Sequence, residues 1–348
     1  MKPTNSKVYL LHAYSSKNSG DGLLVKLSLK QIRNLGVTEK INIVCLDPES
    51  FKGYINTPGV RILSLFQYIS ESIVDIITRK NSISFGVGGG YLRSSDAKEG
   101  LKSLIAHGTQ IFLANLKNGK SYYLPQSVGP LKGIPGKLIS HLTKKIDLIF
   151  SRDDKTITEL SSHRNIIRCP DLVAIEILEN INTIKPRHPN CTGLIFRDLP
   201  SYKKSKTYEK SLKEILNRTI SPILLLQSHS RGNNDDKYYK RTLPDYTAIP
   251  VVKLAEDFSP SVISVRLHGS LESILRGSPS IHLSYERKGF SAYKDLGLEE
   301  YVFDSKSFSA LEVIKLNNSI HDNSEFFWQK IKYKATSFES PLRVIKVN

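Results

Sequence analysis

The sequence predicts an α/β chain of two doubly wound domains facing a cleft, on three observations. Short apolar runs alternate with helix-length stretches along most of the 348 residues, the pattern of parallel sheets covered by helices. The runs end in clusters of Gly, Pro, Ser and charged residues, at the strand carboxyl ends where open parallel sheets hold their ligands. A stretch of linker composition at 178–191, containing Asn180, Pro186, Pro189 and Asn190, splits the series. Each half is then Rossmann-like. The expected division is 1–180, a linker at 181–191, a second domain at 192–318, and a helix and tail at 319–348 packing back on the first domain.

In chain order, the run 7–13 reads as a strand, Asn18-Ser19-Gly20-Asp21-Gly22 as a loop and 23–35 as a helix. Backbone N–H groups of such a loop can cradle a hydroxylated or anionic ligand, and Asp21 can cap the helix, accept a ligand proton or act as a base. Strands are expected at 41–46, 60–63 and 82–87, with a helix at 66–78. The last of these runs ends in Gly88-Gly89-Gly90, where the absence of side chains lets the backbone turn tightly or a ligand come close. The dinucleotide spacing G-x-G-x-x-G is not met.

Runs 121–124 and 147–150 are further strands. The first leads into Pro125-Gln126-Ser127-Val128-Gly129-Pro130, and the second into Ser151-Arg152-Asp153. There Asp153 caps a helix at 154–161 and pairs with Arg152; the alternative is Arg152 as an anion-binding arginine. Beyond the linker, strand 192–196 ends at Arg197, helix 207–217 follows, and strand 222–226 ends at Gln227, His229 and Arg231 before a strand at 248–252. The tail at 319–333, with Trp328, reads as one amphipathic helix.

Chemistry concentrates at 259–288. A buried strand, Val262–Val265, runs into a helix that starts near Gly269 and stops at Gly277, followed by a strand at Ser280–Ser284. Arg266 and His268 therefore sit where a strand ends and a helix begins. The first turn of a helix carries unpaired N–H groups and partial positive charge. Arg266 adds a planar fork for carboxylate or phosphate, and His268 a group that exchanges protons near neutral pH. The plainer reading makes Arg266 a surface ion pair and His268 a helix cap.

Composition bounds the partners. Hydrophobic content is 39% and charged content 24%, as in a globular protein, and no apolar run approaches the roughly 20 residues that span a bilayer. The N-terminus shows no signal-peptide pattern, so a cytoplasmic location is expected. Cys45, Cys169 and Cys191 have no metal-ligand spacing, and no Asp-x-Asp pair or Walker loop is present, so no metal or cofactor is expected. The net charge of +17 calls for an acidic partner. Basic groups such as Lys203-Lys204-Ser-Lys206 and Lys330, Lys332 and Lys334 are short, and no aromatic-basic interleaving of the single-strand-binding kind appears, which argues against nucleic acid.

The ordered set Asn18-x-Gly20-Asp21, Gly88-Gly89-Gly90-x-Leu92, Pro125-Gln126-Ser127-x-Gly129-Pro130, Ser151-Arg152-Asp153, Pro170-Asp171, Arg266-Leu267-His268-Gly269, Gly277-x-Pro279 and Tyr285-x-x-Lys288-Gly289 resembles the polysaccharide pyruvyl transferase family. The resemblance covers about residues 8–300. It implies GT-B-like paired domains and transfer of the pyruvyl group of phosphoenolpyruvate to a sugar, usually as a cyclic ketal. By the same match Arg152, Arg266, Leu267, His268 and Lys288 bind the donor. His268 is the candidate acid and Asp21 the candidate base. Asn18, Gly88, Gly89, Gly90 and Gln126 are assigned to the acceptor, a polysaccharide sugar or a lipid-linked oligosaccharide. The excess of positive charge then fits an anionic donor and an anionic membrane face. Two rivals are a glycosyltransferase using a nucleotide-sugar and a non-catalytic binding protein for anionic polysaccharide.

Overall fold

Runs such as Ile41–Cys45 and Cys191–Ile195 are buried at every position, which is how a strand covered by helices on both faces reads. The computed structural model describes residues 6–199, 205–230, 233–251 and 258–347. Lys203, Lys204, Arg231 and Val252 lie outside the described residues. Two compact units emerge. Unit 1 comprises Met1–Ser16, Asp21–Leu172 and Ser340–Asn348, and unit 2 comprises Lys17–Gly20 and Val173–Glu339.

Unit 1 is built on β1 (Lys7–Ala13), β2 (Ile41–Cys45), β3 (Val60–Ser64), β4 (Asn81–Gly86), β5 (Gly89–Ser94), β6 (Asn118–Leu131), β7 (Leu148–Ser151) and β8 (Ile166–Arg168). The order is β3-β2-β1-β4-β6-β7-β8, with β5 beside β6, and every pair is parallel. The connecting helices are α1 (Ser19–Asn34), α2 (Pro48–Phe51), α3 (Leu65–Ile77), α4 (Ala97–Ser103), α5 (Thr109–Leu116), α6 (Gly133–Thr143) and α7 (Asp154–Glu159), and α8 (Leu172–Asn180) leads into unit 2. A single π-helical turn, Leu104–Gly108, joins α4 to α5. Tyr68 of α3 and Leu113 of α5 meet Tyr9, Leu11, Val44 and Leu63 of the sheet. Ile111 of α5 and Ile139 of α6 meet Tyr123, Val128 and Ile149. These helices therefore cover one sheet face.

One expectation is corrected here. The strand does not end at Leu124: β6 continues through Pro125–Pro130 to Leu131, paired with β5 on one side and β7 on the other. Of the three glycines, Gly89 and Gly90 open β5. A Cβ at Gly88 would lie 2.7 Å from the Pro125 carbonyl oxygen, so glycine is needed for the backbones to approach.

Unit 2 has β9 (Cys191–Ile195), β10 (Pro222–Leu226), β11 (His229–Ser230), β12 (Asn233–Asn234), β13 (Ala248–Pro250), β14 (Pro260–Ser264), β15 (Ser280–Ser284) and β16 (Val302–Asp304). Its main sheet is parallel in the order β13-β10-β9-β14-β15-β16. The helices α9 (Ser205–Arg218) and α10 (Asp235–Thr242) precede Leu267–Leu275, Arg287–Asp295, Ala310–Asp322 and Glu325–Thr336. The tail expected as one helix is thus two, broken at Asn323 and Ser324. The last nine residues belong to unit 1, where the Tyr122 hydroxyl donates to the Lys346 carbonyl at 2.7 Å. Cys45, Cys169 and Cys191 are buried and outside any disulfide. Among the described residues no helix is long and apolar enough to cross a membrane.

Candidate active site

Both sheets reverse strand order next to their first strand, and ligands of such sheets bind beyond the carboxyl ends at that reversal. In unit 2 the reversal lies between β9 and β14. There Arg266 is the N-cap of the helix Leu267–Leu275. Ser264 shapes the junction: its hydroxyl donates to the Arg266 carbonyl at 2.8 Å and accepts the Arg266 N–H at 3.0 Å.

The Arg266 guanidinium is no surface group. It is 6% exposed and faces Asp235, which is 1% exposed. Nε donates to both Asp235 oxygens at 2.9 Å, and Nη2 bonds Oδ1 as well. The same carboxylate accepts the N–H groups of Gln227 at 3.2 Å and Ser228 at 3.0 Å. A buried arginine with this support is fixed in direction, as recognition of a planar anion requires.

His268 occupies the first turn and is not a helix cap. Gly20 presses in on it: a Cβ there would lie 2.6 Å from the His268 Cβ and 2.9 Å from Gln227 Nε2. A Cβ at Gly269 would lie 2.6 Å from Gln227 Oε1, an atom that is buried without a hydrogen-bond partner among the described residues. Residues 17–20 are laced to this end of unit 2. The Ser19 N–H donates to the Gln227 carbonyl at 3.0 Å, its hydroxyl to Glu272 at 3.2 Å, and the His229 N–H to the Lys17 carbonyl at 3.0 Å. The Asn18 side chain accepts the Gly20 N–H at 3.2 Å. Asn18 thus takes the local role that Asp21 was expected to fill, and Asp21 stands in the first turn of α1 within unit 1.

Leu267 is buried. Lys288 pairs with Glu286 at 2.9 Å. Its charge and that of His268 add to burial in holding His282 down to about 4. Arg197, at the end of β9, stacks its guanidinium 4.7 Å from the Tyr285 ring centre.

Unit 1 carries a second group. Arg152, 2% exposed, donates from Nε to Ser127 at 2.9 Å and from Nη1 to Asp171 at 2.5 Å. The expected Arg152–Asp153 pair is replaced by Arg152–Asp171, because Asp153 caps α7 by accepting the Thr156 N–H at 2.9 Å. A Cβ at Gly90 would lie 3.5 Å from Arg152 Nη2, and Gly89 is in register with Gln126. Gln126 is buried, and its amide atoms have no hydrogen-bond partner among the described residues. The structure thus brings Gly88, Gly89, Gly90, Gln126 and Arg152 together.

Three features were missed in the sequence. Asp235 and Gln227 support the unit 2 group, and nothing local marks Asp235, which lies far from Arg266 in sequence. Asp171 stands in the quoted Pro170-Asp171 pair but carries no sign of its partner. The third is a buried cluster at the end of β1. His12, at φ 70, approaches the Tyr123 hydroxyl at 2.7 Å and His107 at 3.3 Å, while its N–H donates to Gln110 at 2.9 Å. Burial holds both imidazoles neutral, His107 down to about 4 and His12 well below its ordinary value. Among the described residues no group of His, Cys, Asp and Glu could hold a metal ion.

Residues 18–287 match the family model described as polysaccharide pyruvyl transferase. The chain belongs to the polysaccharide pyruvyl transferase family. The match spans both the Arg152 and the Arg266–His268 groups, as the motif order implied. No curated protein sequence matches the chain. Among solved structures, the chain is similar to a candidate UDP-N-acetylglucosamine 2-epimerase from Listeria monocytogenes, at 12% identity and TM-score 0.51, covering 97% of this chain and 92% of that one. It is similar also to UDP-GlcNAc 2-epimerase from Methanocaldococcus jannaschii, at 11% identity and TM-score 0.51, covering 91% and 93%. At such identities the likeness is one of fold, the α/β GT-B type.

Proposed function

We propose that this family member transfers the pyruvyl group of phosphoenolpyruvate to a sugar of a cell-surface polysaccharide or its lipid-linked precursor, closing a ketal across two hydroxyls. The observation that best supports this is the buried Arg266–Asp235 pair, which aims a fixed cation beyond the β14 carboxyl end beside His268. Phosphoenolpyruvate carries a carboxylate and a phosphate, and a preoriented arginine with Lys288 and the helix N-terminus offsets that charge. The resemblance assigns Arg152 to the same donor.

In this reading His268 protonates the methylene carbon, a sugar hydroxyl attacks the adjacent carbon, and phosphate leaves with the electrons of its C–O bond. The second hydroxyl then closes the ring. Of the two hydroxyl protons, one balances the new methyl group and the other leaves with phosphate. The chemistry needs no oxidant. Asp21 receives a hydroxyl proton, and the Gly88–Gly90 segment with Gln126 binds the acceptor. We place this work at the cytoplasmic face of the membrane, where lipid-linked sugars are presented.

The test is incubation with phosphoenolpyruvate and a glycan panel, following phosphate release and a mass gain of one pyruvic acid less one water. His268→Ala is expected to lower turnover about 10²–10⁴-fold with donor binding retained. Turnover with a nucleotide-sugar, releasing nucleoside diphosphate, and none with phosphoenolpyruvate would establish the glycosyltransferase reading instead.

A further inference from the structure

Helices that cover a sheet normally turn apolar residues inward and polar ones to water. Three neighbouring helices of unit 1 bury apolar residues on the sheet yet also carry a second apolar row outward, with polar groups among their buried positions. On α3 the buried positions are Tyr68, Ser72 and Asp75, while Phe66 is 83%, Ile73 50% and Ile77 75% exposed. At i, i+7 and i+11 these three form one stripe of a helix. Along α4, the π-helical turn and α5, Ser103, His107 and Gln110 are buried, whereas Ile105, Phe112 and Leu116 are exposed. Ile134 extends the pattern onto α6. Because α3 packs on α5 and α5 on α6, the outward side chains form one surface. Scattered exposed apolar residues are ordinary, but a row across three adjacent helices marks an interaction face.

The inward polar groups show that this orientation is built in. Asp75 accepts from Lys7 Nζ at 2.6 Å and from the Tyr9 hydroxyl at 2.7 Å. Gln110 accepts the His12 N–H at 2.9 Å. Turning either helix to bury its apolar stripe would break these buried bonds, each costly to leave unmade.

Charge selects the occupant. Lys98 and Lys102 on α4, Lys137 on α6, and Lys144 and Lys145 just beyond it are all exposed. Acids on the same helices are engaged within the unit: Glu71 with Arg61 at 2.8 Å, and Glu99 with the Ser95 N–H at 2.8 Å. A second copy meeting this face about a two-fold axis would set lysines toward lysines, which disfavours that occupant. We infer that the outward face of α3, α4–α5 and α6 docks on an anionic lipid bilayer. The apolar side chains enter the boundary between headgroups and acyl chains, and the lysines meet lipid phosphates. Docking of this face is independent of the transfer chemistry, and vesicle binding reads no turnover.

The test is cosedimentation of the full chain with phosphatidylcholine vesicles with and without phosphatidylglycerol, at low and high salt. The protein is expected to pellet with anionic vesicles only and to be released by salt. Replacing Lys98, Lys102 and Lys137 by Gln is expected to weaken partition about 10²-fold, from about fivefold per lysine. Ile105→Ser with Phe112→Ser is expected to weaken it at least about tenfold. Phe326→Ser, at an exposed site of unit 2, should change nothing, and unaltered thermal unfolding checks that each variant is folded. Failure to bind anionic vesicles at low salt, or equal losses from Phe326→Ser, would overturn the inference. So would a concentration-dependent dimer abolished by Ile105→Ser, which would assign the face to a second copy.

Discussion

Removing the Asp235 carboxylate is the sharpest probe of the unit 2 site. Arg266 and Asp235 are 6% and 1% exposed, so truncating the acid leaves a guanidinium in the interior without its counter-charge. Breaking a buried pair in this way costs about 3–5 kcal/mol. The N–H groups of Gln227 and Ser228 lose their acceptor as well, at about 1 kcal/mol or more each. Asp235→Ala is therefore expected to cost about 5 kcal/mol or more, a large share of a typical domain's 5–15 kcal/mol. Asp235→Asn, which keeps one acceptor, is expected to cost about 3 kcal/mol. The assay is urea unfolding followed by fluorescence. Trp328 is the only tryptophan of the sequence, is 3% exposed and lies in unit 2, so its emission reports that unit. With a slope of about 2–3 kcal/mol per molar urea, Asp235→Ala should lower the midpoint by about 2 M. Asp235→Leu with Arg266→Met removes both charges and should recover much of the loss. A midpoint within about 0.3 M of wild type for the single variant, or a double variant no more stable than Asp235→Leu, would refute the reasoning.

Three further outcomes are expected. Burial holds His107 and His282 down to about 4 against an ordinary 6.5, so the unfolded chain binds more protons in that window and stability falls as pH drops from 6.5 to 4, by about 3 kcal/mol per group; His107→Gln should flatten the dependence of the unfolding free energy on pH, and an unchanged slope would contradict this. Burial likewise pushes Lys117 down from 10.5 to about 7, beneath the rings of Tyr9 and Tyr68 at 3.7 and 4.4 Å; stability relative to Lys117→Met should rise by roughly 2 kcal/mol between pH 7 and 9, measured by denaturant titration at each pH. Gly20→Ala forces a carbon to within 2.6 Å of the His268 Cβ, and the displaced imidazole should lower kcat/KM about 10²-fold at nearly unchanged circular dichroism, whereas full activity would remove His268 from the chemistry.

Much of the framework is legible because strands buried on both faces read as near-continuous apolar runs. Ser280–Ser284 is found with the expected bounds, and Gly277 at φ 83 ends the preceding helix as glycine is expected to. Prolines mislead within β6. Pro125 reads as a breaker, yet the pairing with β7 shifts register between Tyr123 and Gln126, and this irregularity accommodates a residue without an N–H. In the tail, Phe326, Phe327 and Trp328 continue the apolar pattern across the break at Asn323, hiding it. The two buried arginines are visible at strand ends, but their partners are not. Asp171 reaches Arg152, and Asp235 reaches Arg266, through tertiary neighbourhood alone. For α3 the periodicity shows a stripe without saying which way it faces. The Asp75 bonds to Lys7 and Tyr9 decide that.

The exchange of residues 17–20 into unit 2, and of 340–348 into unit 1, makes each half a debtor to the other's stretch of chain. A protein severed between Leu172 and Val173 would leave the first fragment holding the peptide that lines His268, and the second holding the strap that reaches Tyr122. Neither fragment would be whole alone, and activity should return only when the two are refolded as one mixture.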